Sequence, residues 1–115
     1  MIEHRWIKEF PGAVTVCDAQ GIILEMNDQA ARSYEAEGGY GLLGSNALDC
    51  HPEQARIKME RLLRTQEPNI YTVEKNGVKK LIYQSPWHED GQFCGLVELA
   101  LLIPFEMPHF VRGGG

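Results

Sequence analysis

Cys50 and His51 stand side by side, a thiol and an imidazole, both chemically competent to hold a transition metal. A zinc site built on them would need Cys94 and His88 from two further segments, and no pair of histidines at i, i+4 spacing supports one. Cys17, Cys50 and Cys94 are odd in number, widely spaced and without a CxxC pair, so reduced thiols are expected and neither a disulfide framework nor a zinc knuckle. Asp49 two residues before His51 is an acid next to a base, yet it sits where a helix is about to begin. His4 and His109 lie near the chain ends and read as surface residues. The glycine-rich stretch Gly38 to Gly44 lacks the Gly-Lys-Ser/Thr ending of a phosphate loop and reads as irregular backbone. With no nucleophile elbow and no His-Glu-x-x-His either, the expectation is a protein that is not an enzyme.

The elements that position these residues follow from periodicity. Ile2, Trp6 and Phe10 recur every four residues, predicting a short amino-terminal helix over residues 1–10 that Pro11-Gly12 ends. Ala13 to Cys17 and Ile22 to Met26 are β-branched-rich runs around the turn Asp18-Ala19-Gln20-Gly21, which predicts a hairpin. Asn27 or Asp28 offers a cap for a helix through about Tyr34. Pro52 suits a first helical position, and Ala55, Met59, Leu62 and Leu63 follow at helical spacing. After Pro68, three strands are expected at 70–75, 78–87 and 92–103, joined by Asn76-Gly77 and Asp90-Gly91, both strong hairpin dipeptides. Helices bracketed between a hairpin and a meander predict an α+β domain, a five-stranded antiparallel sheet with its helices on one face.

The chain's 115 residues carry 11 Lys plus Arg against 16 Asp plus Glu, a net charge of −5, so no basic surface for direct nucleic-acid binding is expected. No apolar run reaches the roughly 20 residues that span a bilayer, and a cytoplasmic protein with no membrane association is the expectation. At 43% hydrophobic and 23% charged, the composition is that of an ordinary globular domain.

From residue 10 to 103 the sequence resembles the PAS domain. The resemblance lies in the order of Pro11-Gly12-Ala13-Val14, Asp18-Ala19-Gln20-Gly21, Ile23-Leu24-Glu25-Met26-Asn27, Leu43-Gly44, His51-Pro52, Asn76-Gly77, and Asp90-Gly91 leading to Gly95-Leu96-Val97. It implies a PAS domain over 11–103, a cap or dimerisation helix over 1–10 and a tail over 104–115, ending in Gly113 to Gly115. It also implies a sensory module that binds a small molecule between sheet and helices and signals by shifting a population of conformations. Effectors such as a kinase or a transcription regulator would then be separate chains.

By that resemblance and strand alternation, the pocket face would hold Ile70, Thr72, Ile82, Gln84, Phe93, Val97 and Leu99. Tyr34, Leu48, Cys50, His51, Ala55 and Met59 would face it from the helices. Thr72 and Gln84 stand out, since polar side chains in a buried strand face need partners. Light-sensing relatives carry Gly-x-Asn-Cys where this chain has Gly44-Ser45-Asn46-Ala47, and alanine forms no flavin photo-adduct. A haem or redox sensor would use His51 or Cys50. The remaining alternative is a ligand-free interaction module with a filled core. Tyr83, Leu96, Leu102 and Trp87 would form an apolar outer face, covered by Ile2, Trp6 and Phe10 within the chain or across a homodimer.

Overall fold

The computed structural model describes residues 5–113, and Ile2 and His4 lie outside the described residues. After a one-turn helix α1 (Arg5–Lys8) come β1 (Ala13–Asp18), β2 (Ile23–Met26) and α2 (Asp28–Ser33). Three 3-10 turns (Glu35–Glu37, Gly39–Leu42, Ala47–Cys50) lead to α3 (Glu53–Thr65), then β3 (Asn69–Lys75), β4 (Val78–Glu89) and β5 (Gln92–Ile103). The five strands form one antiparallel sheet in the order β2-β1-β5-β4-β3, so the last strand pairs with the first in the middle. The expected α+β architecture is the one observed. Both meander turns have the backbone their dipeptides favour, with φ 53° and 77° at Asn76-Gly77 and φ 50° and 78° at Asp90-Gly91. Pro52 sits one position earlier than its sequence suggested, capping α3 with extended backbone, and the Arg56 N–H donates to its carbonyl.

Asn27 holds the amino-terminal half together. It is 3% exposed, and its amide has no unused donor or acceptor group. The Oδ1 atom accepts from Ala30 N at 3.1 Å, which caps α2, and from Val14 N at 3.0 Å. The Nδ2 atom donates to the carbonyls of Gly12 at 2.7 Å and Ile7 at 3.0 Å. One side chain therefore ties α1, the start of β1 and the start of α2. The helix α1 gains only an exposed Lys8–Asp28 ion pair besides, at 3.2 Å. Of the two expected covers for the sheet, within the chain or across a homodimer, Trp6 does not supply the first: it is 71% exposed and lies edge-on to Phe10, ring centroids 6.5 Å apart.

One sheet face packs against the helices. Leu62, Met59 and Leu63 of α3 press on Cys17 and Leu96, while Ile23, Leu42 and Ala47 cluster beside them with Met26, Tyr34 and, again, Met59. Among the described residues no large side chain is wholly buried, so this core is shallow. The other face carries Val14, Val16, Leu81, Tyr83, Val97, Leu99 and Leu101, half-buried or exposed, with no helix over them. On that face the Trp87 indole donates from Nε1 to the Cys17 carbonyl at 2.9 Å. A Cβ at Gly95 would run into the backbone of Cys17 and Asp18, and φ is 149° there, so only glycine lets β5 lie this close to β1.

Replacing Asn27 by alanine removes a helix cap, which costs about 1 kcal/mol, and strands the Gly12 carbonyl and Val14 N–H, at roughly 1–3 kcal/mol each. A loss of at least about 3 kcal/mol is expected, read as a lower urea midpoint at unchanged slope. Asn27→Asp, which keeps the acceptor half, falls between wild type and alanine. A loss for Asn27→Ala below about 1 kcal/mol would mean that water replaces these bonds.

Candidate functional site

Between the covered sheet face and α3 lies a cavity of about 160 Å³. Its floor is Thr15 and Cys17 of β1, Ile23 and Met26 of β2, Gln84 of β4 and Leu96 and Glu98 of β5. Tyr34, Leu42, Ala47, His51, Ala55, Lys58, Met59 and Leu62 complete the walls and roof. Space is left because the residues that meet here are small or flexible: Ala47 and Ala55 on the roof, methionines at the side.

The strand registers place Met26, Thr15, Glu98, Gln84 and Asn69 in one row across all five strands. The rows on either side are apolar in their central strands, with Cys17 and Leu96 in one and Ala13, Ala100 and Ile82 in the other. The polar members answer one another in sequence. Asn69 Nδ2 donates to Gln84 Oε1 at 2.7 Å, and Gln84 Nε2 donates to Glu98 Oε2 at 2.7 Å. Tyr34 follows the last turn of α2, which directs its hydroxyl down to Glu98 Oε1 at 3.3 Å. Burial pushes the Tyr34 phenol well up, and the negative charge of Glu98 adds to the effect.

Three other groups define the chemistry of the walls. His51 is bonded through Nδ1 to the Ala47 carbonyl; a carbonyl only accepts, so Nδ1 carries the proton in that bond. Lys58 sets its Nζ 5.0 Å from the centre of the Tyr71 ring, a cation–π contact at the rim. Burial pushes the Cys17 thiol up, which makes it a small apolar lining group and a poor nucleophile.

Of the residues singled out from the sequence, the cavity brings together Tyr34, His51, Ala55, Met59 and Gln84. Thr72 and Val97, with Ile70 and Leu99, stand on the opposite sheet face, since their cross-strand partners are Leu81, Ser85 and Tyr83. Ile82 has the cavity-side parity but lies one row beyond the lining. Leu48 packs on the β1–β2 turn at Gly21, and Phe93 sits against His88 at the far end of the meander, ring centroids 6.1 Å apart. Leu96 is core and not outer face, and Leu102 shares its parity at the exposed strand end. The Cys50 side chain lies outside the described residues.

Sequence reasoning missed Thr15, Cys17, Asn69, Lys58 and Glu98. The signal for Glu98 was present, a single carboxylate inside the run Gly95-Leu96-Val97-Glu98-Leu99-Ala100-Leu101-Leu102. Asn69 was hidden by its place beside Pro68, where it reads only as a helix breaker.

The space, which is open to solvent on one side, is close in volume to the roughly 150 Å³ that holds one benzene ring in an engineered cavity. His51 has the free Nε2 that a haem iron would need, but a tetrapyrrole, or the three fused rings of a flavin, exceeds this volume as it stands. Ala47, at the position matching the adduct cysteine of light-sensing PAS domains, lines the roof and supplies no sulfur. Among the described residues no group of three His, Cys, Asp or Glu side chains is arranged to hold a metal ion.

No family model matches the sequence, and no curated protein matches it. Solved structures do. The chain superposes on the PAS domain of the histidine kinase ThkA with a TM-score of 0.62 at 21% identity, covering 78% of this chain and 97% of that one. The PAS domain of BvgS from Bordetella pertussis gives 0.60 at 21% identity over 87% and 82%. The VqmA dimer of Vibrio cholerae, a LuxR-type DNA-binding receptor, gives 0.64 at 13% identity over 96% of this chain and 56% of that one. The fold is PAS-like.

Tyr34 supplies a pH test. Its folded pKa lies above the unfolded value of about 10, so its contribution to stability is complete below about pH 10 and is lost as pH rises toward the folded value. Tyr34→Phe should cost about 1–2 kcal/mol near neutrality through the lost bond to Glu98. The gap between variant and wild type, from urea midpoints, should narrow between about pH 8 and about pH 10.5. An unchanged gap would mean that the phenol ionises as freely as in the unfolded chain.

Proposed function

We propose that this chain is a sensory module which takes a small molecule into the cavity between sheet and α3 and reports it by changing how the molecule associates. The observation that carries this reading is the cavity of about 160 Å³ in the middle of the core, where a purely structural module would be packed with side chains. The PAS-like fold it shares with domains of sensor histidine kinases supports a signalling role in general. The protein works by binding and not by turnover: the cavity offers a buried, unreactive thiol and a histidine engaged by backbone, not an activated nucleophile beside a base.

The output surface is the outer face of the sheet. It is the more apolar of the two faces, and Ile70 (51% exposed) and Tyr83 (38%) stand bare on it. A second copy of the chain is the proposed occupant, in line with the dimeric state of VqmA. A separate kinase or transcription regulator would read the assembly. Because β4 and β5 contribute side chains to both faces, a ligand that moves Gln84 or Glu98 also moves Tyr83 and Leu99.

Two measurements test this. In a thermal-shift screen of one-ring fragments, a ligand at a hundred times its Kd should raise the midpoint by roughly 10 °C, and Ala47→Leu, which fills the roof, should abolish the response. Failure of every fragment on wild type would remove the ligand. In light scattering at micromolar concentration, wild type should show twice the 13.0 kDa chain mass, and the Ile70→Glu, Tyr83→Glu double variant the single mass. A wild-type mass of 13.0 kDa throughout would remove the dimer.

A further inference from the structure

We infer that the cavity selects its ligand by hydrogen-bond donation to Glu98: a one-ring molecule, neutral or cationic, carrying an N–H, O–H or amine group, with anions refused. This rests on the small-molecule reading and names the chemistry of what that site takes.

The polar row has a direction. Asn69 Nδ2 donates to Gln84 Oε1, which fixes the orientation of the Gln84 amide and leaves its NH₂ only Glu98 to serve. Tyr34 donates to the same carboxylate from the opposite wall. Every bond in the network runs toward Glu98, and none carries the charge away. A carboxylate has about four lone-pair sites. Tyr34 takes one on Oε1 and Gln84 one on Oε2, so each oxygen retains acceptor capacity.

No described cation lies within ion-pair distance of that carboxylate. Among the described residues no Lys, Arg or His pairs with Glu98, and the one lysine lining the cavity, Lys58, places its ammonium over the Tyr71 ring. The charge is felt nearby, since it helps to hold the Tyr34 and Tyr71 phenols protonated. The rest of the lining is mostly aliphatic or thioether. A partly desolvated carboxylate in such a setting is stabilised by a donor and most of all by a cation, while a second negative charge is repelled. The volume suits a donor on a scaffold of about one ring.

Four probes of nearly equal shape separate the possibilities on the full chain: benzylamine, benzyl alcohol, toluene and benzoate, with binding read by protein NMR titration. Benzylamine should bind tightest, benzyl alcohol next, and toluene about tenfold to a hundredfold weaker than benzylamine, the range expected when a bond to a charged acceptor is removed. Benzoate should not bind. Glu98→Gln should bring benzylamine to the level of toluene and leave toluene unchanged, and retained toluene binding shows that this variant still folds. Should toluene match benzylamine on wild type, or benzoate bind best, donor selection is overturned while the small-molecule cavity stands. Should no probe bind, the cavity reading fails and this inference with it. The ranking on wild type decides the matter even if the variant does not fold.

Discussion

A carboxylate on the central strand of a sheet, beneath a helix, has to be answered by whatever its neighbours can donate. Glu98 is that group, and much of the arrangement around it follows. Gln84 must lie directly across from it, Asn69 must lie across from Gln84 to fix the amide, and Tyr34 must reach down from the end of α2. These partners come from three elements besides Glu98's own strand, so the row is satisfied only when β3, β4, β5 and α2 are all docked in register. A slip of one residue between β4 and β5 would turn Gln84 away and leave Glu98 facing apolar rows. The network thus selects one register and leaves a polar floor in an otherwise apolar cavity.

The same register governs the other face. Gly95 lets β5 approach the Cys17–Asp18 backbone, and the Trp87 indole closes over the junction by bonding the Cys17 carbonyl. A bulge between Trp87 and His88 follows immediately, so alternation along β5 is reset near its start and runs unbroken from Gly95 to Ile103. Within that stretch the more apolar set of residues, Val97, Leu99, Leu101 and Ile103, turns away from the helices. A sheet that gives its less apolar side to the core leaves an apolar surface outside, which the proposed function uses for association. Inside and outside are then joined by alternate residues of the same two strands, with no intervening linkage.

Asn27 plays the corresponding part for the amino-terminal half. It spends both donors and both acceptor sites on three segments, and it does so at the junction of β2 and α2, where the chain turns from the sheet toward the cavity wall. The short α1 is held at its end by this amide and an exposed ion pair, and not by Trp6. Trp6 is therefore available to a partner.

Element types were legible because each rests on local physics. Asn76-Gly77 and Asp90-Gly91 reach positive φ cheaply, Asn27 caps a helix, Pro52 starts one, and β-branched runs extend. From these the five-stranded sheet and its helical layer follow. The facing of β5 was not legible, since both of its alternating sets are largely apolar and periodicity alone favours the wrong one for the core. Pairing across the sheet settled it, by setting Glu98 opposite Thr15 and Gln84. Thr72 and Gln84 are equally polar as residues, yet one lies on the outer face and the other on the cavity floor because β3 and β4 are offset so that Thr72 meets Leu81. The sequence by itself determined which segments are helix, strand and turn, because those preferences act over a few bonds. Only the tertiary structure decided which side chains share the cavity, because that depends on contacts between residues as far apart as Tyr34 and Glu98.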